Sequence, residues 1–337
     1  LDSAQLESYL ATNVAGFAGP LTIKQFKGGQ SNPTYLLETP ARRYVLRRKP
    51  PGKLLPSAHA VDREYRVIRA LYAQDFPVAE PLVYCADQRV AGTPFYVMGF
   101  ADGRVFWEPQ MPGANATERA AVYDAMNSTI ARLHNFDPAT IGLSDFGRGE
   151  NYVARQVDRW SKQYRASETE KIEAMERLIA WLPAHIPPSG PARLVHGDYR
   201  LDNLILAKDA PDIIAVLDWE LSTLGDPLAD FSYPLMAWHM PPSDSAAGTA
   251  TLAGHDLAAL GIPSMADYVD AYVARTGLDP RPALPVYLAY NFFRIAAILQ
   301  GIIGRVRDDT ATSEFAPAKA EMIRPLAEKA WEFAKAA

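Results

Sequence analysis

The stretch that most restricts what this chain can fold into is RLVHGDYRLDNLILAKDAPDIIAVLDWE, residues 193–220. Two short apolar runs read as β-like segments. The first is followed by His196, Asp198, Asp202 and Asn203, and the second by Asp218. Asp198 and Asn203 lie five apart on a tight loop, and Asp218 lies fifteen past Asn203. Oxygen ligands from adjacent strand ends, near a third carboxylate, suit a hard cation such as Mg²⁺ that keeps phosphate oxygens in the rest of its shell. The spacing fits metal-assisted phosphoryl transfer.

Ahead of this stretch, residues 21–49 alternate β-like runs with turn residues: LTIKQF, GGQSNP, TYLLE, TPAR and RYVLRRK. They predict three antiparallel strands. A helix is expected over HAVDREYRVIRALYAQ, where Val61, Tyr65, Ile68 and Leu71 recur at helical spacing with Glu64 beside them. VAEPLVYCAD and TPFYVMGF supply two more strands, and Gly103 in ADGR marks a turn or crossing. From residue 117 onward the pattern is helical apart from the 193–220 region. A chain of 337 residues is long enough for two lobes, and the expected division is 1–101, a sheet with one main helix, and 102–337, largely helical.

The 34 Lys and Arg against 39 Asp and Glu leave a net charge of −5, which argues against a nucleic-acid or anionic-membrane binder. A single cysteine, Cys85, excludes an internal disulfide and a CxxC metal site. With no basic start and apolar run in residues 1–20, no signal peptide is expected and the setting is read as cytoplasmic. LPVYLAYNFFRIAAILQGIIG, residues 284–304, has the length of a membrane span, but Asn291, Arg294 and Gln300 interrupt it; at a bilayer centre an Arg costs roughly 2.5–3.5 kcal/mol or more. A buried helix is expected there.

His196, Asp198 and Asn203 in H-x-D-x-x-x-x-N, followed by Asp218-Trp219-Glu220, resemble the catalytic loop and metal-binding Asp of the protein-kinase-like fold. HGD and LGDPLADF, residues 224–231, are similar to its aminoglycoside and choline phosphotransferase branch. FKGGQSNPTYLL, YVLRRKPPG, HAVDREY, VHGDYRLDNL and LDWELSTLGDPLADF also resemble the kinase-like domain that accompanies acyl-CoA dehydrogenases. This resemblance implies a bilobal α+β fold with a small antiparallel-sheet N-lobe and a larger, mainly helical C-lobe. It further implies an ATP- and Mg²⁺-dependent transfer of phosphate to a small-molecule hydroxyl.

The roles it implies are specific. Asp198 would orient the acceptor hydroxyl and accept its proton, while Asn203 and Asp218 would hold Mg²⁺. Arg200 would touch the transferring phosphate or form a surface ion pair. His196, Asp202 and Asp230 would brace the loop. Gly28, Gly29 and Ser31 would cover the phosphates, Arg47 would replace the usual strand lysine and pair with Glu64, and backbone groups of Phe100 and Ala101 would meet adenine. The helical lobe would supply the acceptor pocket, with Trp107, Trp238, His239, Tyr290 and Arg294 as candidates. Arg42, Arg43, Arg47, Arg48, Lys49 and Lys53 form either a solvated strand face with an exposed loop or an anion site for nucleotide or for a phosphate-bearing acceptor such as a coenzyme A thioester. A hydroxyacyl-CoA or related thioester is favoured over an aminoglycoside, since the helical part has no dense acidic run. The alternatives are a nucleotide-binding pseudokinase that partners an acyl-CoA dehydrogenase and, less favoured, a metal-dependent hydrolase built on His196, Asp198 and Asp218.

Overall fold

Alternating apolar and polar residues between turns pair into a five-stranded antiparallel sheet in the computed structural model, which describes residues 1–26, 32–51, 60–242, 251–307 and 316–337. In chain order the elements are α1 (Ser3–Asn13), β1 (Thr22–Gln25), β2 (Thr34–Glu38), β3 (Arg43–Arg48), α2 (Val61–Tyr72), β4 (Pro81–Cys85), α3 (Gln88–Ala91), β5 (Phe95–Gly99), α4 (Ala116–Asn135), α5 (Tyr152–Ser167) and α6 (Glu173–His185). There follow β6 (Arg193–Val195), β7 (Leu204–Leu206), β8 (Ile213–Val216), β9 (Thr223–Gly225), α7 (Pro227–Leu235), α8 (Leu257–Leu260), α9 (Met265–Thr276), α10 (Leu284–Arg307) and α11 (Ala316–Ala336). They divide into two compact units. One comprises Leu1–Arg104, Ala139–Leu143 and Leu204–Ser222; the other comprises Val105–Pro138, Ser144–Asn203 and Thr223–Ala337.

In the first unit the strand order is β1-β2-β3-β5-β4. The two-residue period of a strand sends successive side chains of β3 to opposite faces. Tyr44 and Leu46 join Leu6 and Leu10 of α1, together with Phe95 and Val97, in an apolar cluster. Arg47 points the other way, to Glu64 of α2. The helix α1 was not anticipated from the sequence; Asp2 caps it by accepting the Gln5 N–H at 3.0 Å. The β7–β8 hairpin belongs to this unit too, and Arg104 and Leu206 exchange two backbone hydrogen bonds of 2.8 Å.

The second unit is mainly helical, with one small antiparallel ladder of β6 and β9. Its centre is α10, which packs on α5, α7 and α11. The helical span 281–307 is long and apolar enough to cross a membrane by composition, yet 72% of its most apolar window is buried within the fold. Each polar residue that interrupts it has a partner: Asn291 donates to the Ala229 carbonyl and Ser232 Oγ, Gln300 to the Ser167 carbonyl, and Arg294 to the Gly197 carbonyl. Unpaired, such groups would each cost several kcal/mol inside a core.

Gly103 is the residue the Arg104–Leu206 bridge requires. A Cβ there would lie 2.0 Å from the Leu206 carbonyl oxygen, a backbone atom that cannot turn aside. Gly103→Ala is expected to lower stability by about 1–3 kcal/mol, read as a fall in the urea midpoint; an unchanged midpoint would contradict this close approach.

Candidate active site

The loop after β6 is built around one buried carboxylate in the second unit. Asp230, 4% exposed on α7, accepts the backbone N–H of His196 and of Gly197, each at 2.8 Å, and pairs with His134 Nε2 at 3.1 Å. His134 Nδ1 lies 2.7 Å from the Tyr272 hydroxyl. Burial works to raise the Asp230 pKa, but His134, His196 and the backbone donors outweigh it and hold it below the usual carboxylate value. Gly197 has φ of 86°, in the left-handed region where a side chain is strained, which explains the glycine of HGD.

Asp198 follows, 21% exposed, with its N–H donated to His196 Nδ1 at 3.1 Å. His196 is fully buried and uses that nitrogen as an acceptor, so it is a scaffold, and the hydrolase reading that needs it as a metal ligand or base is set aside. Asn203 Nδ2 donates to the Asp198 carbonyl at 2.8 Å and to its carboxylate at 3.1 Å. With its nitrogen committed, Asn203 keeps Oδ1, a hard oxygen of the kind Mg²⁺ selects. Arg200 lies 3.6 Å from Asp198 and 3.0 Å from Asp202. Burial raises the Asp202 carboxyl against the opposing charge of Arg200.

The same unit contains a cavity of about 300 Å³. Trp107, Tyr123, Met126, Tyr233 and Trp238 contribute to its apolar wall, and Arg200 and Asp202 are its charged residues among those described. Of the acceptor-pocket candidates, Trp107 and Trp238 line it. His239 instead faces Met265 and Phe333, while Tyr290 and Arg294 are buried and do not line it.

In the first unit Arg47 is the hub. Its Nε is 3.0 Å from Glu64, and its Nη2 is 2.8 Å from Asp218 and 3.3 Å from Glu220. Glu64, 2% exposed, also accepts from Asn32 Nδ2 at 2.7 Å and the Tyr96 hydroxyl at 3.0 Å. Burial together with the like charges of Asp218 and Glu220 raises the Glu64 pKa to about 7, against the lowering by Arg47 and the Tyr96 hydrogen bond. Asp218 adopts φ 62°, ψ 62° at the start of the 3₁₀ turn Trp219–Leu221. Its carboxylate is 34% exposed, and the turn is anchored by Trp219 Nε1, which donates to the Val216 carbonyl at 2.9 Å. Non-glycine residues in that backbone region cluster at functional sites.

Gly28, Gly29 and Ser31 lie outside the described residues, as does Lys53. The Phe100 N–H is given to the Arg43 carbonyl at 3.3 Å, so the connector has the Phe100 carbonyl and the backbone of Ala101 left for a base. The basic cluster separates into individual pairings: Arg42 with Glu80, Arg43 with Asp102 at 2.7 Å, Arg47 with its three acids, and Arg48 with the Ala91 carbonyl at 2.7 Å. A shared anion site on β3 therefore receives no support. Asn32 and Tyr96 were not singled out from the sequence; Asn32 lies within GGQSNP, but only its reach to Glu64 reveals its part.

Sheet, Arg–Glu pair and H-x-D-x-x-x-x-N loop together define a protein-kinase-like fold. A solved choline kinase from Cryptosporidium parvum shares that fold, with a TM-score of 0.68 at 12% identity, covering 99% of this chain and 97% of its own. The pattern of the phosphotransferase enzyme family matches residues 22–268, and the chain belongs to that family. A solved structure from Ralstonia eutropha, assigned as an aminoglycoside phosphotransferase, is 48% identical with a TM-score of 0.88, covering 99% of this chain and 98% of its own. Acyl-CoA dehydrogenase family member 10 of Mus musculus is 44% identical over 333 residues, 98% of this chain and 31% of the relative. The chain thus spans less than half the length of the curated relatives it matches.

A raised Glu64 pKa gives stability that is present below about pH 4.5, where folded and unfolded forms are both protonated, and is lost as pH rises to about 7. Glu64→Gln should flatten the dependence of the thermal midpoint on pH across that window. An unchanged slope would show that Glu64 is not its source.

Proposed function

We propose that the chain is an ATP- and Mg²⁺-dependent phosphotransferase acting on the hydroxyl of a small molecule, with a hydroxyacyl-CoA or related thioester as the favoured acceptor. The observation that carries this reading is the anchored loop: Asp198 is half-sheltered, bonded to Asn203, and built on the Asp230 carboxylate. That arrangement suits a base that orients a hydroxyl and takes its proton. Bound Mg²⁺-ATP supplies the phosphoryl group and the charge neutralisation. Asn203 Oδ1 and the Asp218 carboxylate each offer a hard oxygen of the kind that would hold the metal, and Arg47, fixed by Glu64, would serve as a cation for phosphate oxygens.

Support for the acceptor class comes from the cavity wall. Among the described residues its one carboxylate, Asp202, is paired with Arg200. A polycationic aminosugar would find little to neutralise it there, whereas an apolar hydroxylated chain would find aromatic and methionine surface. The relatives named as acyl-CoA dehydrogenase family members favour a functional link to such an enzyme, either through the substrate or as a partner.

The mutants should separate by role. Asp198→Ala should lower kcat for labelled-ATP transfer to a hydroxyacyl-CoA by roughly 10²–10⁴-fold with Mg²⁺-ATP binding kept, whereas Asp218→Ala should weaken Mg²⁺-ATP binding itself. Wild-type ATP binding without transfer to any hydroxyl, and no effect of Asp198→Ala, would instead support the pseudokinase reading.

A further inference from the structure

Arg294 is 5% exposed, and its guanidinium makes no ion pair with a carboxylate among the described residues. A buried, uncompensated cation is costly. It sits on α10, where Nη2 donates to the Gly197 carbonyl and Nε has no hydrogen-bond partner. The Tyr233 and Trp160 rings lie 5.0 and 6.0 Å from its central carbon.

We infer that Arg294 is a positioning residue for Asp198, acting through the single peptide group that joins Gly197 to Asp198; the inference rests on the phosphotransferase reading for its catalytic consequence. That peptide has two polar atoms. Its oxygen accepts from Arg294, and its N–H donates to the buried ring of His196. Its plane is therefore held from both sides. Since Gly197 is left-handed, with φ of 86°, a glycine peptide free to rotate would redirect the Asp198 side chain. Asp230 fixes the preceding N–H groups, while Arg294 is the side chain among the described residues that holds the carbonyl immediately preceding Asp198. A charge-assisted hydrogen bond from a water-excluded guanidinium is well suited to that task.

The test compares Arg294→Met, Arg294→Lys and wild type by hydrogen exchange and steady-state kinetics. Removing one charge-assisted hydrogen bond should speed exchange of the Gly197 to Tyr199 amides roughly tenfold to a hundredfold, with α4 and α6 unchanged and with Lys restoring most of the protection. In ATP turnover, kcat should fall roughly 10²-fold in the Met variant with the KM for Mg²⁺-ATP held, and Lys should recover most of it. Unchanged exchange at 197–199, or an equal rise throughout the helical unit, would overturn the inference and leave Arg294 as packing. If the Met variant does not fold, Arg294→Gln, which keeps a neutral donor, provides the same comparison. A wild type without turnover would count against the phosphotransferase reading alone, because the exchange comparison needs no catalysis.

Discussion

Everything in the loop after β6 depends on the Asp230 carboxylate and the two consecutive N–H groups it accepts. A buried carboxylate is tolerable only when its lone pairs are used, and here two backbone donors and an imidazole use them. In return the backbone at His196–Gly197 has one geometry. Asp198, Arg200 and Asn203 then follow at fixed places, so the polar side chains of the loop derive their order from a carboxylate buried beneath it. The helix α7 that carries Asp230 is itself set by Asp226, whose carboxylate caps it and also accepts from Tyr287 of α10 at 2.9 Å.

The first unit solves a different electrostatic problem. Three acids, Glu64, Asp218 and Glu220, converge on one arginine. Arginine suits this better than lysine because its planar fork offers separate N–H groups to separate partners and stays charged at any working pH. The cost falls on Glu64, whose burial is relieved by Asn32 and Tyr96 as well as by Arg47.

Much of this was legible in the sequence because the signals were local. The strands β1 to β5, the helix α2 and the loop residues His196, Asp198 and Asn203 declare themselves through periodicity and spacing. What was not legible depends on distance along the chain. Arg48 and Arg42 read as part of a charged patch, and only the fold shows that one turns to the Ala91 carbonyl and the other to Glu80. Arg294 was a pocket candidate only through the family resemblance, and its reach to the Gly197 carbonyl 97 residues away leaves no local signal. The helix α1 was missed because it buries only Leu6 and Leu10. His134 carried no local motif, and its meeting with Asp230 across 96 residues of sequence is a property of the packed helices.

The polar residues along α10 have a further consequence for how the chain reaches its native state. Asn291, Arg294 and Gln300 find their carbonyl acceptors 62, 97 and 133 residues away in sequence. Until α7, the Gly197 loop and the end of α5 are in place, burying α10 would strand a charge and two amides in an apolar interior. Closing loops of that length costs chain entropy before the contacts repay it. Burial of the central helix is thus coupled to completion of the loop that bears Asp198.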